Sequence, residues 1–575
     1  MNVLESKQQL GTIIPNIASL LKTNAAKYKN NIVFQSLHNG KYEGIDWKEF
    51  YESINNIASN LLEIGFNRGD KLVLFSRNRL EMLEMELAVM AIGGIAVPIF
   101  SGFKKETAEL LITHSAAKWL VVEGRTQLNY ISNKLNLKAI FVFDPVEDEE
   151  FTNLIQFPTL LKRAAENVLY FDASPDDICL NMYTSGTMGV PKCVQLTNKN
   201  ILSQQAALSL IWEVDEHDRF LSYLPWHHSF GGIFELFTAL ASGAAMSLEG
   251  GYGKDPETIF ENWKLVKPTL FFSVPKVYQA LYELAKGSKS AENVFFKSGL
   301  KFIFTAAASL PEKLSREFER REIPVIEGWG LTETSPCCTL TDPEVKRKEG
   351  IVGNPIPGVS VRIGDDEEIL IKGPNVMVRY YNNDDANKDI FTNDGWYRTG
   401  DVGEINKSGL KLISRKDRIF KLSNGEKVIP TDLEKQIELK CHYVQYAIVA
   451  GNKEDYPVAL IFPNKKMFQS PDYEQTPETG CFCPRNLNEF GRCFTGCLQD
   501  CNKHIRQKFA EVKSATIILD ELSVEDNTLT PSMKIAPNNI LQKYKNHLAN
   551  LYGDEAPVDE EVYVIEFKNK KKRVV

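Results

Sequence analysis

Apolar and polar residues alternate along the chain with two different periods. Residues 70–76, DKLVLFS, form an apolar run of strand length, and residues 78–92, NRLEMLEMELAVMAI, repeat apolar positions every three to four residues, as a helix does. A second apolar run, GIAVPIF, follows at 94–100. The order strand, helix, strand predicts a βαβ unit with two parallel strands and the helix on one face of their sheet.

The same order of elements recurs as far as residue 330. Strand-like runs precede helical patterns in residues 218–243, 268–287 and 300–321. Ligands of such sheets bind in the loops beyond the carboxyl ends of the strands. Three segments rich in small and polar residues fall at these positions and are the candidate site segments: YTSGTMGVPK, TAAAS and GWGLTE.

The pattern changes after about residue 350. Residues 359–374 predict a hairpin with an acidic turn, residues 431–440 a helix and residues 446–463 a second hairpin. The predicted fold class is α/β. A large N-terminal domain, 1–414, has parallel-rich sheets flanked by helices and a small strand-rich subdomain. A smaller, mobile α+β C-terminal domain, 415–575, follows.

Composition limits the function classes. The 575 residues are 43% hydrophobic, which is enough for a large core, and the net charge of -8 gives no electrostatic case for binding nucleic acid. The longest apolar stretch, 87–100, is too short to span a bilayer, and the N-terminus lacks the features of a secretory signal. We therefore expect a cytoplasmic protein whose ten cysteines are reduced.

The segment 182–192, MYTSGTMGVPK, combines hydroxyls, glycines and a lysine. It does not fit the Walker spacing, because Gly189 follows Gly186 too early and Lys192 follows a proline. Glycine N–H groups can approach anionic oxygens closely, so the segment predicts a phosphate clamp. By itself, an ordinary glycine turn with the lysine in solvent explains it as well. The candidate phosphate-binding residues are Thr184, Ser185, Gly186, Thr187, Gly189 and Lys192.

Four further segments follow in a fixed order. They are EGWGLTET at 327–334, GWYRTGD at 395–401, SRKDRIFKLSNGEKVIPTDLE at 414–434 and LTPSMKI at 529–535. With the clamp, this set resembles the signature of the AMP-forming adenylating superfamily, which includes acyl-CoA synthetases, peptide-synthetase adenylation domains and firefly luciferase. Five ordered motifs spread over most of the chain are far more specific than any one of them.

The resemblance implies a reaction in two steps. A carboxylate attacks the α-phosphate of ATP to give acyl-AMP and pyrophosphate, and a thiol then takes the acyl group and releases AMP. The clamp would hold the β- and γ-phosphates. Thr332 would contact phosphate, and Glu333, with Thr184, would bind Mg²⁺, a cation that prefers oxygen ligands. Without the surrounding motif, Glu333 would be interpreted as a solvated acid in a turn.

The resemblance also implies a nucleotide site. Asp401 would accept both ribose hydroxyls, although an aspartate after glycine is also common in turns. Arg415 resembles the arginine that contacts the ribose from the smaller domain. Trp329 replaces the usual tyrosine and is expected to stack on adenine. The residues expected around the base are Gly328, Trp329, Gly330, Ala307 and Ala308.

Lys534, in LTPSMKI, resembles the catalytic lysine of the family. It would bridge the substrate carboxylate and the α-phosphate and stabilise the charge of the transition state. The family usually has more basic residues just downstream, whereas this chain has APNNILQK. Asp417 aligns with the hinge of the family, so the small domain is expected to rotate, presenting Lys534 first and the loop around Gly425 to CoA second.

Two features narrow the substrate. Residues 418–428, 529–535 and 267–278 resemble the long-chain fatty acyl-CoA synthetase branch, and LPWHHSFGG, at 224–232, matches the LPxxH segment beside the acyl pocket. His228 aligns with its histidine; a core histidine bonded to the backbone is the alternative. The expected function is an ATP- and Mg²⁺-dependent fatty acid:CoA ligase. The alternatives are a fatty acyl-AMP ligase that loads a carrier protein, a ligase for medium-chain or aryl acids, and an inactive adenylating fold that serves as a metal-dependent binding module.

Two segments lie outside the resemblance. A cysteine-rich insertion at about 465–503 includes Cys493, Cys497 and Cys501, which would share one face of a helix. Zinc is an alternative there, but the spacing is not a recognised zinc pattern, so we expect structural packing. The basic residues 570–573 could contact anionic lipid at the inner membrane surface, but a solvated tail is the preferred interpretation.

Overall fold

The computed structural model describes residues 3–162, 167–184, 191–297, 299–306, 310–348, 350–464, 484, 486–530, 534–553 and 563–566. These residues form two compact units. The first unit extends to residue 413 without residues 400–402, and the second contains residues 400–402 and the chain from residue 414 onward.

Two mixed sheets dominate the first unit. Within the described residues one sheet has 14 strands and the other has eight. In sheet order, the first contains Val3–Glu5, Ser360–Ile363, Glu368–Lys372, Tyr397–Asn406, Gly409–Arg415, Ile351–Pro355, Cys337–Leu340, Val325–Gly330, Phe302–Thr305, Leu270–Ser273, Arg219–Ser222, Ala245–Leu248, Ile32–His38 and Lys41–Asp46. The second contains Arg379–Tyr380, Lys192–Thr197, Ile178–Thr184, Ile95–Pro98, Lys71–Phe75, Trp119–Val122, Ala139–Val142 and Leu154–Gln156.

Helices accompany both sheets of the first unit. The α-helices are Ile17–Tyr28, Trp47–Glu63, Leu80–Ala91, Lys105–Ser115, Arg125–Leu128, Asn198–Leu208, Leu236–Ser242, Pro256–Val266, Pro275–Lys286, Lys289–Phe296, Glu312–Glu319 and Asp384–Asn387. Short 3₁₀ turns occur at Phe157–Leu161, Thr332–Thr334 and Asp365–Glu367, and a π-helical turn at Phe230–Glu235.

The first βαβ unit confirms the pattern from which it was predicted. Strands Lys71–Phe75 and Ile95–Pro98 pair in parallel, with Lys71 opposite Ile95. The helix between them, Leu80–Ala91, buries nearly its whole surface, including Glu84 and Glu86. Nine of its twelve residues are apolar and the other three are glutamates, so the sequence is mainly apolar, as expected for a helix covered on nearly all sides. The hairpin Ser360–Ile363 with Glu368–Lys372 is also confirmed.

The second unit has its own sheet and core. Its four-stranded sheet, as described, has the order Val444–Ala450, Val458–Pro463, Ser514–Ile517 and Tyr563–Glu566, and the strands Phe420–Lys421 and Lys427–Val428 form a separate pair. The helices are Pro430–Lys440, Leu487–His504, the 3₁₀ turn Lys508–Ala510, Pro537–Lys543 and Lys545–Asn550. The predicted fold class, a large α/β domain followed by a smaller domain, is thus confirmed, whereas movement of the smaller unit stays a prediction.

The predicted helix at 431–440 and the hairpin at 446–463 are confirmed. The sequence also predicts a helix over NKHIRQKFAEV, at 502–512, directly after the cysteines, and this prediction is wrong. Helical structure runs from Leu487 to His504 and therefore includes the cysteines, and the extended backbone of Ile505 ends it. Among the described residues no helix combines the length and apolarity needed to cross a membrane.

Candidate active site

The phosphate-clamp segment connects two antiparallel strands. Ile178–Thr184 pairs with Lys192–Thr197, and the register places Thr184 opposite Lys192. The Thr184 hydroxyl donates to the Lys192 carbonyl at 3.4 Å. The predicted clamp residues Ser185, Gly186, Thr187 and Gly189 lie outside the described residues. The described strand ends bring one candidate hydroxyl and the candidate lysine to the same end of the sheet.

Lys192 and Glu333 both contact the side chain of Tyr380, Lys192 at the ring and Glu333 at the hydroxyl. The Lys192 ammonium lies 4.9 Å from the centroid of the Tyr380 ring, and the Tyr380 hydroxyl donates to Glu333 Oε1 at 2.7 Å. Tyr380 belongs to an edge strand that pairs with Val194, two residues after Lys192. Tertiary structure thus joins two motifs that are 141 positions apart, as counted from residue numbers 192 and 333.

The backbone that carries Thr332 and Glu333 is held by one amide side chain and one backbone N–H group. The amide of Asn375 donates to the carbonyls of Thr334, at 2.9 Å, and Cys337, at 3.0 Å. The Met377 N–H donates to the Glu333 carbonyl at 2.8 Å. The acidic turn is consequently fixed on a segment that lies more than 40 residues further along the chain.

The two glycines of the GWG segment have no room for a side chain, Gly330 because of neighbouring backbone and Gly328 because of an aromatic ring. A Cβ atom at Gly330 would lie 1.7 Å from the Pro336 carbonyl oxygen, and one at Gly328 would lie 2.5 Å from the Phe304 ring. Trp329 points to the opposite side of the strand and is 7% exposed. Its predicted stacking on adenine stays a prediction, and the other predicted wall of the base site, Ala307 and Ala308, lies outside the described residues.

His228 lies at the start of the π-helical turn Phe230–Glu235. The Phe230 N–H donates to His228 Nδ1 at 3.2 Å, so a neutral ring carries its proton on Nε2. This backbone bond matches the alternative given above for His228, and its catalytic role stays a prediction. The next residue, Ser229, shares a hydrogen bond of 3.0 Å with the hydroxyl of Thr332, so the LPxxH segment contacts the acidic motif directly.

The turn after His228 packs its backbone closely against that of residues 225 and 226. A Cβ atom at Gly232 would lie 1.9 Å from the Trp226 carbonyl oxygen, and one at Gly231 would lie 2.6 Å from the Pro225 carbonyl oxygen. The aromatic residues around this turn are buried: Trp226, Phe230, Phe234 and Phe237. Phe234 packs with its ring centroid 4.6 Å from that of Phe304, on a strand of the large sheet.

His227 was not singled out from the sequence. Burial lowers its pKa to about 4, so the ring is neutral at physiological pH. Its ring centroid lies 5.1 Å from that of Phe100. The two adjacent histidines therefore have different surroundings: His228 bonds to the backbone of its own turn, and His227 packs against an aromatic ring.

In the second unit, three of the predicted residues form one charged group. Arg415 Nη1 lies 2.9 Å from Asp401 Oδ1, and Arg415 Nε lies 3.6 Å from Asp417 Oδ1. Asp401 is 4% exposed, and the Asn538 amide donates to Asp417 Oδ2 at 3.4 Å. The two residues predicted to contact the ribose are thus neighbours, and the predicted hinge residue is bonded to the same arginine.

Lys534 lies on a tight loop of the second unit. Its N–H donates to the Thr530 hydroxyl at 3.1 Å, and its carbonyl accepts from the Thr530 N–H at 2.7 Å. The residue is exposed. Gly425 occupies an exposed turn with a φ of 86°, a conformation that favours glycine. Their predicted roles stay predictions.

The cysteine segment packs within the second unit. Cys497 and Cys501 belong to the core between the helices Pro430–Lys440 and Leu487–His504, and the Cys501 thiol lies 3.6 Å from the Gln436 carbonyl oxygen. The neighbouring thiols of Cys493 and Cys497 affect the pKa of the Cys441 thiol. Within the described residues, no group of three or more His, Cys, Asp or Glu side chains is arranged to hold a metal ion.

The candidate magnesium ligands fit a hard cation. Glu333 is a half-buried carboxylate whose Oε1 is held by Tyr380, and the other predicted ligand, Thr184, offers a half-buried hydroxyl. Carboxylate and hydroxyl oxygens are ligands that Mg²⁺ accepts, and Mg²⁺ bound to a nucleotide needs few protein ligands because phosphate oxygens and water supply the rest.

Sequence inspection missed the residues that support these motifs. Tyr380 and Asn375 are single polar residues in a segment without a recognised pattern, and Ser229 lies in the LPxxH segment but was not among its candidate residues. The sequence offered one indication of such a supporting role. The segment GPNVMVRYYNN, at 373–383, combines turn residues with polar residues and contains the very short strand Arg379–Tyr380. The partner of each of these residues is far away in sequence and could not be inferred.

The fold is that of adenylate-forming enzymes. A Bacillus subtilis O-succinylbenzoate CoA synthetase, solved with ATP and a magnesium ion, superimposes with a TM-score of 0.70 at 22% identity over 92% of this chain and 99% of that one. The anthranilate CoA ligase AuaEII, solved with anthranoyl-AMP, gives a TM-score of 0.75 at 20% identity over 94% and 99%. At these identities the similarity concerns the fold alone.

The chain belongs to the AMP-binding enzyme family, whose model matches residues 21–381, and the AMP-binding enzyme C-terminal domain model matches residues 417–556. Fatty acyl-CoA synthetase A of Dictyostelium discoideum is 27% identical over 90% of this chain and 86% of its own length. The peroxisomal long chain acyl-CoA synthetase 7 of Arabidopsis thaliana is 25% identical over 95% and 87%. The chain is therefore a member of the AMP-forming acyl-CoA ligase group.

Proposed function

We propose that this chain is a fatty acid:CoA ligase that forms AMP and prefers long-chain acids. The observation that carries the proposal is the convergence of Lys192 and Glu333 on Tyr380 in the first unit. A lysine and a metal-binding carboxylate that contact the same side chain suit an ATP triphosphate, because the lysine supplies fixed positive charge and the carboxylate supplies a ligand for the accompanying cation. The long-chain preference rests on the fatty acyl and long-chain relatives, and the aryl-CoA ligases among the fold neighbours keep aryl acids as the competing substrate class.

Each residue then has a role in the first step. Lys192 and the Thr184 hydroxyl hold the β- and γ-phosphates, and Thr332 donates its hydroxyl to a phosphate oxygen. Mg²⁺, when bound, neutralises phosphate charge and makes pyrophosphate a better leaving group. Glu333 orients the cation through its carboxylate. Lys534 of the second unit places its ammonium at the oxygens that gain charge as the carboxylate attacks phosphorus.

The second unit supplies the nucleotide contacts and the change between steps. Asp401 accepts the ribose hydroxyls, with Arg415 holding one of its oxygens. Asp417, close to the same arginine, is the proposed pivot. In the second step the Gly425 turn serves CoA, whose thiol attacks the acyl carbon, loses its proton and displaces AMP.

A panel of acids tests this function. Purified protein is incubated with ATP, Mg²⁺ and saturated fatty acids of increasing length or aryl acids, with and without CoA, and pyrophosphate, acyl-AMP and acyl-CoA are measured. We expect pyrophosphate and acyl-CoA with long-chain acids, and loss of both in Glu333→Gln. Acyl-AMP that accumulates in the presence of CoA would favour transfer to a carrier protein, and preferential turnover of aryl acids would refute the fatty-acid assignment. Formation of none of these products with any acid of the panel would favour an inactive fold.

A further inference from the structure

Tyr380 lies between two residues of the proposed triphosphate site, although it belongs to none of the motifs that define that site. We propose that Tyr380 is a positioning residue for adenylation: its hydroxyl orients Glu333 as a ligand of Mg²⁺, and its ring holds the Lys192 ammonium toward the phosphates. This inference rests on the proposed function through the roles given to Glu333 and Lys192.

The hydroxyl acts on the direction of the carboxylate. The terminal torsion of a glutamate is broad, so an unsupported carboxylate samples many orientations. The bond of 2.7 Å from Tyr380 to Oε1 restricts that rotation, and within the described part of the chain Oε2 accepts no hydrogen bond. Mg²⁺ demands near-ideal geometry and short distances to its oxygen ligands. A carboxylate that already has the required orientation therefore lowers the free-energy cost of binding Mg²⁺.

The ring acts on the lysine. The Lys192 ammonium lies 4.9 Å from the ring centroid, which is a favourable distance for attraction between a cation and a ring face. An ammonium held in this way uses none of its three N–H donors on a protein oxygen. The donors remain for phosphate oxygens, while the long lysine side chain loses part of its freedom before the nucleotide arrives.

Tyr380 itself is held firmly. It is 4% exposed. Its N–H donates to Asn387 Oδ1 at 2.9 Å, and the Asn387 amide donates to the Tyr380 carbonyl at 2.8 Å. Its strand pairs with that of Lys192, with Val194 opposite Tyr380. A side chain that fixes a ligand must be fixed by its own surroundings, and these bonds meet that requirement.

The neighbouring Tyr381 provides a matched control. The Lys71 ammonium lies 4.3 Å from the centroid of its ring and donates to its hydroxyl at 3.1 Å. Tyr381 thus has a similar lysine contact on the same short segment, but its described contacts include neither Lys192 nor Glu333. Removing its hydroxyl tests what the loss of any tyrosine hydroxyl does to this part of the fold.

The test measures binding directly. Mn²⁺ affinity is determined by electron paramagnetic resonance with a non-hydrolysable ATP analogue, and analogue affinity is measured separately without divalent metal. We expect Tyr380→Phe to weaken Mn²⁺ binding about 10- to 150-fold, the range for loss of one hydrogen bond to a charged group, and to leave metal-free nucleotide binding unchanged. Tyr380→Leu, which also removes the ring, should weaken both, and Tyr381→Phe should weaken neither. High Mg²⁺ should restore most of the turnover of Tyr380→Phe.

The outcomes separate this proposal from the function on which it rests. Wild-type Mn²⁺ affinity in Tyr380→Phe, or an equal loss in Tyr381→Phe, would overturn the positioning role. Glu333→Gln is the reference: if it binds Mn²⁺ as well as the wild type, the metal role of Glu333 fails and the proposed function needs revision. If only Glu333→Gln loses affinity, the function stands and Tyr380 is structural. Thermal midpoints confirm that each variant is folded.

Discussion

Glu86 allows a quantitative prediction about stability. This glutamate lies on the buried helix Leu80–Ala91 and is 1% exposed, and neither of its carboxylate oxygens has a hydrogen-bond partner among the described residues. Burial raises its pKa from 4.5 to about 8. Because the folded-state pKa lies above the unfolded value, the folded protein binds more protons between these two pH values, and its stability falls as the pH rises.

The magnitude follows from that interval. Each pH unit corresponds to about 1.4 kcal/mol, so the 2.5 units from pH 4.5 to pH 7 amount to about 3 kcal/mol. Glu86→Met keeps the shape of the side chain and removes the titrating group. For a unit of roughly 400 residues this gain raises the thermal midpoint by about 3 to 4 °C at pH 7. The advantage of the variant should be small at pH 5 and largest at pH 8.

Calorimetry of the wild type, Glu86→Met and Glu86→Gln from pH 5 to pH 8 provides the assay. The difference between variant and wild type isolates Glu86 from the other titrating groups. Glu81→Gln, on the same helix, is the control: although burial opposes its ionisation, its bonds to Arg79 lower its pKa, so it is ionised in both states above pH 5. A difference between Glu86→Met and the wild type that stays constant from pH 5 to pH 8 would refute the reasoning.

Three further predictions concern the second unit. Lys534→Ala should lower acyl-AMP formation by about two to four powers of ten and leave thioester formation from supplied acyl-AMP largely intact; equal loss at both steps in folded protein would place the catalytic lysine elsewhere. Asp417→Pro should keep ATP–pyrophosphate exchange and block thioester formation, and parallel loss of both would refute the hinge. Joint replacement of Cys493, Cys497 and Cys501 by alanine should lower the thermal midpoint and leave the turnover of folded protein unchanged, whereas about one zinc per wild-type chain, lost with folding in the variant, would contradict the packing interpretation.

Local patterns predicted those parts of the fold that short-range physics determines. The strand, helix and strand around Leu80–Ala91 were evident because apolar residues dominate each of the three segments, and nine of the twelve helix residues are apolar. The cysteine segment shows the opposite case. Its helix, Leu487–His504, mixes polar residues with cysteines, and its end at Ile505 depends on packing that the sequence pattern does not display.

The residues of the candidate site also fall into those that the sequence predicted and those that it did not. Lys192, Glu333 and Asp401 were found because glycines and hydroxyls surround them in recognisable motifs. Tyr380 was missed because its importance comes from a two-residue edge strand and from contacts with residues 47 and 188 positions away, as counted from residue numbers 333 and 192. The burial of Trp329 was also beyond prediction, since alternation along a strand tells which residues share a face but not which face is covered.

Under the proposed function the LPxxH segment borders the acyl pocket, and the close backbone approach at Gly231 and Gly232 then limits how the substrate specificity can diverge. Since any side chain at Gly232 would overlap the Trp226 carbonyl, neither evolution nor a saturation library can reshape that pocket by enlarging these positions. Adaptation to a shorter or bulkier acid has to proceed through the neighbouring aromatic side chains, such as Phe230 and Phe234, whose volume can change without moving the main chain. Gly231 and Gly232 are thus expected to remain glycine, and substitutions that change the substrate are expected at the neighbouring positions.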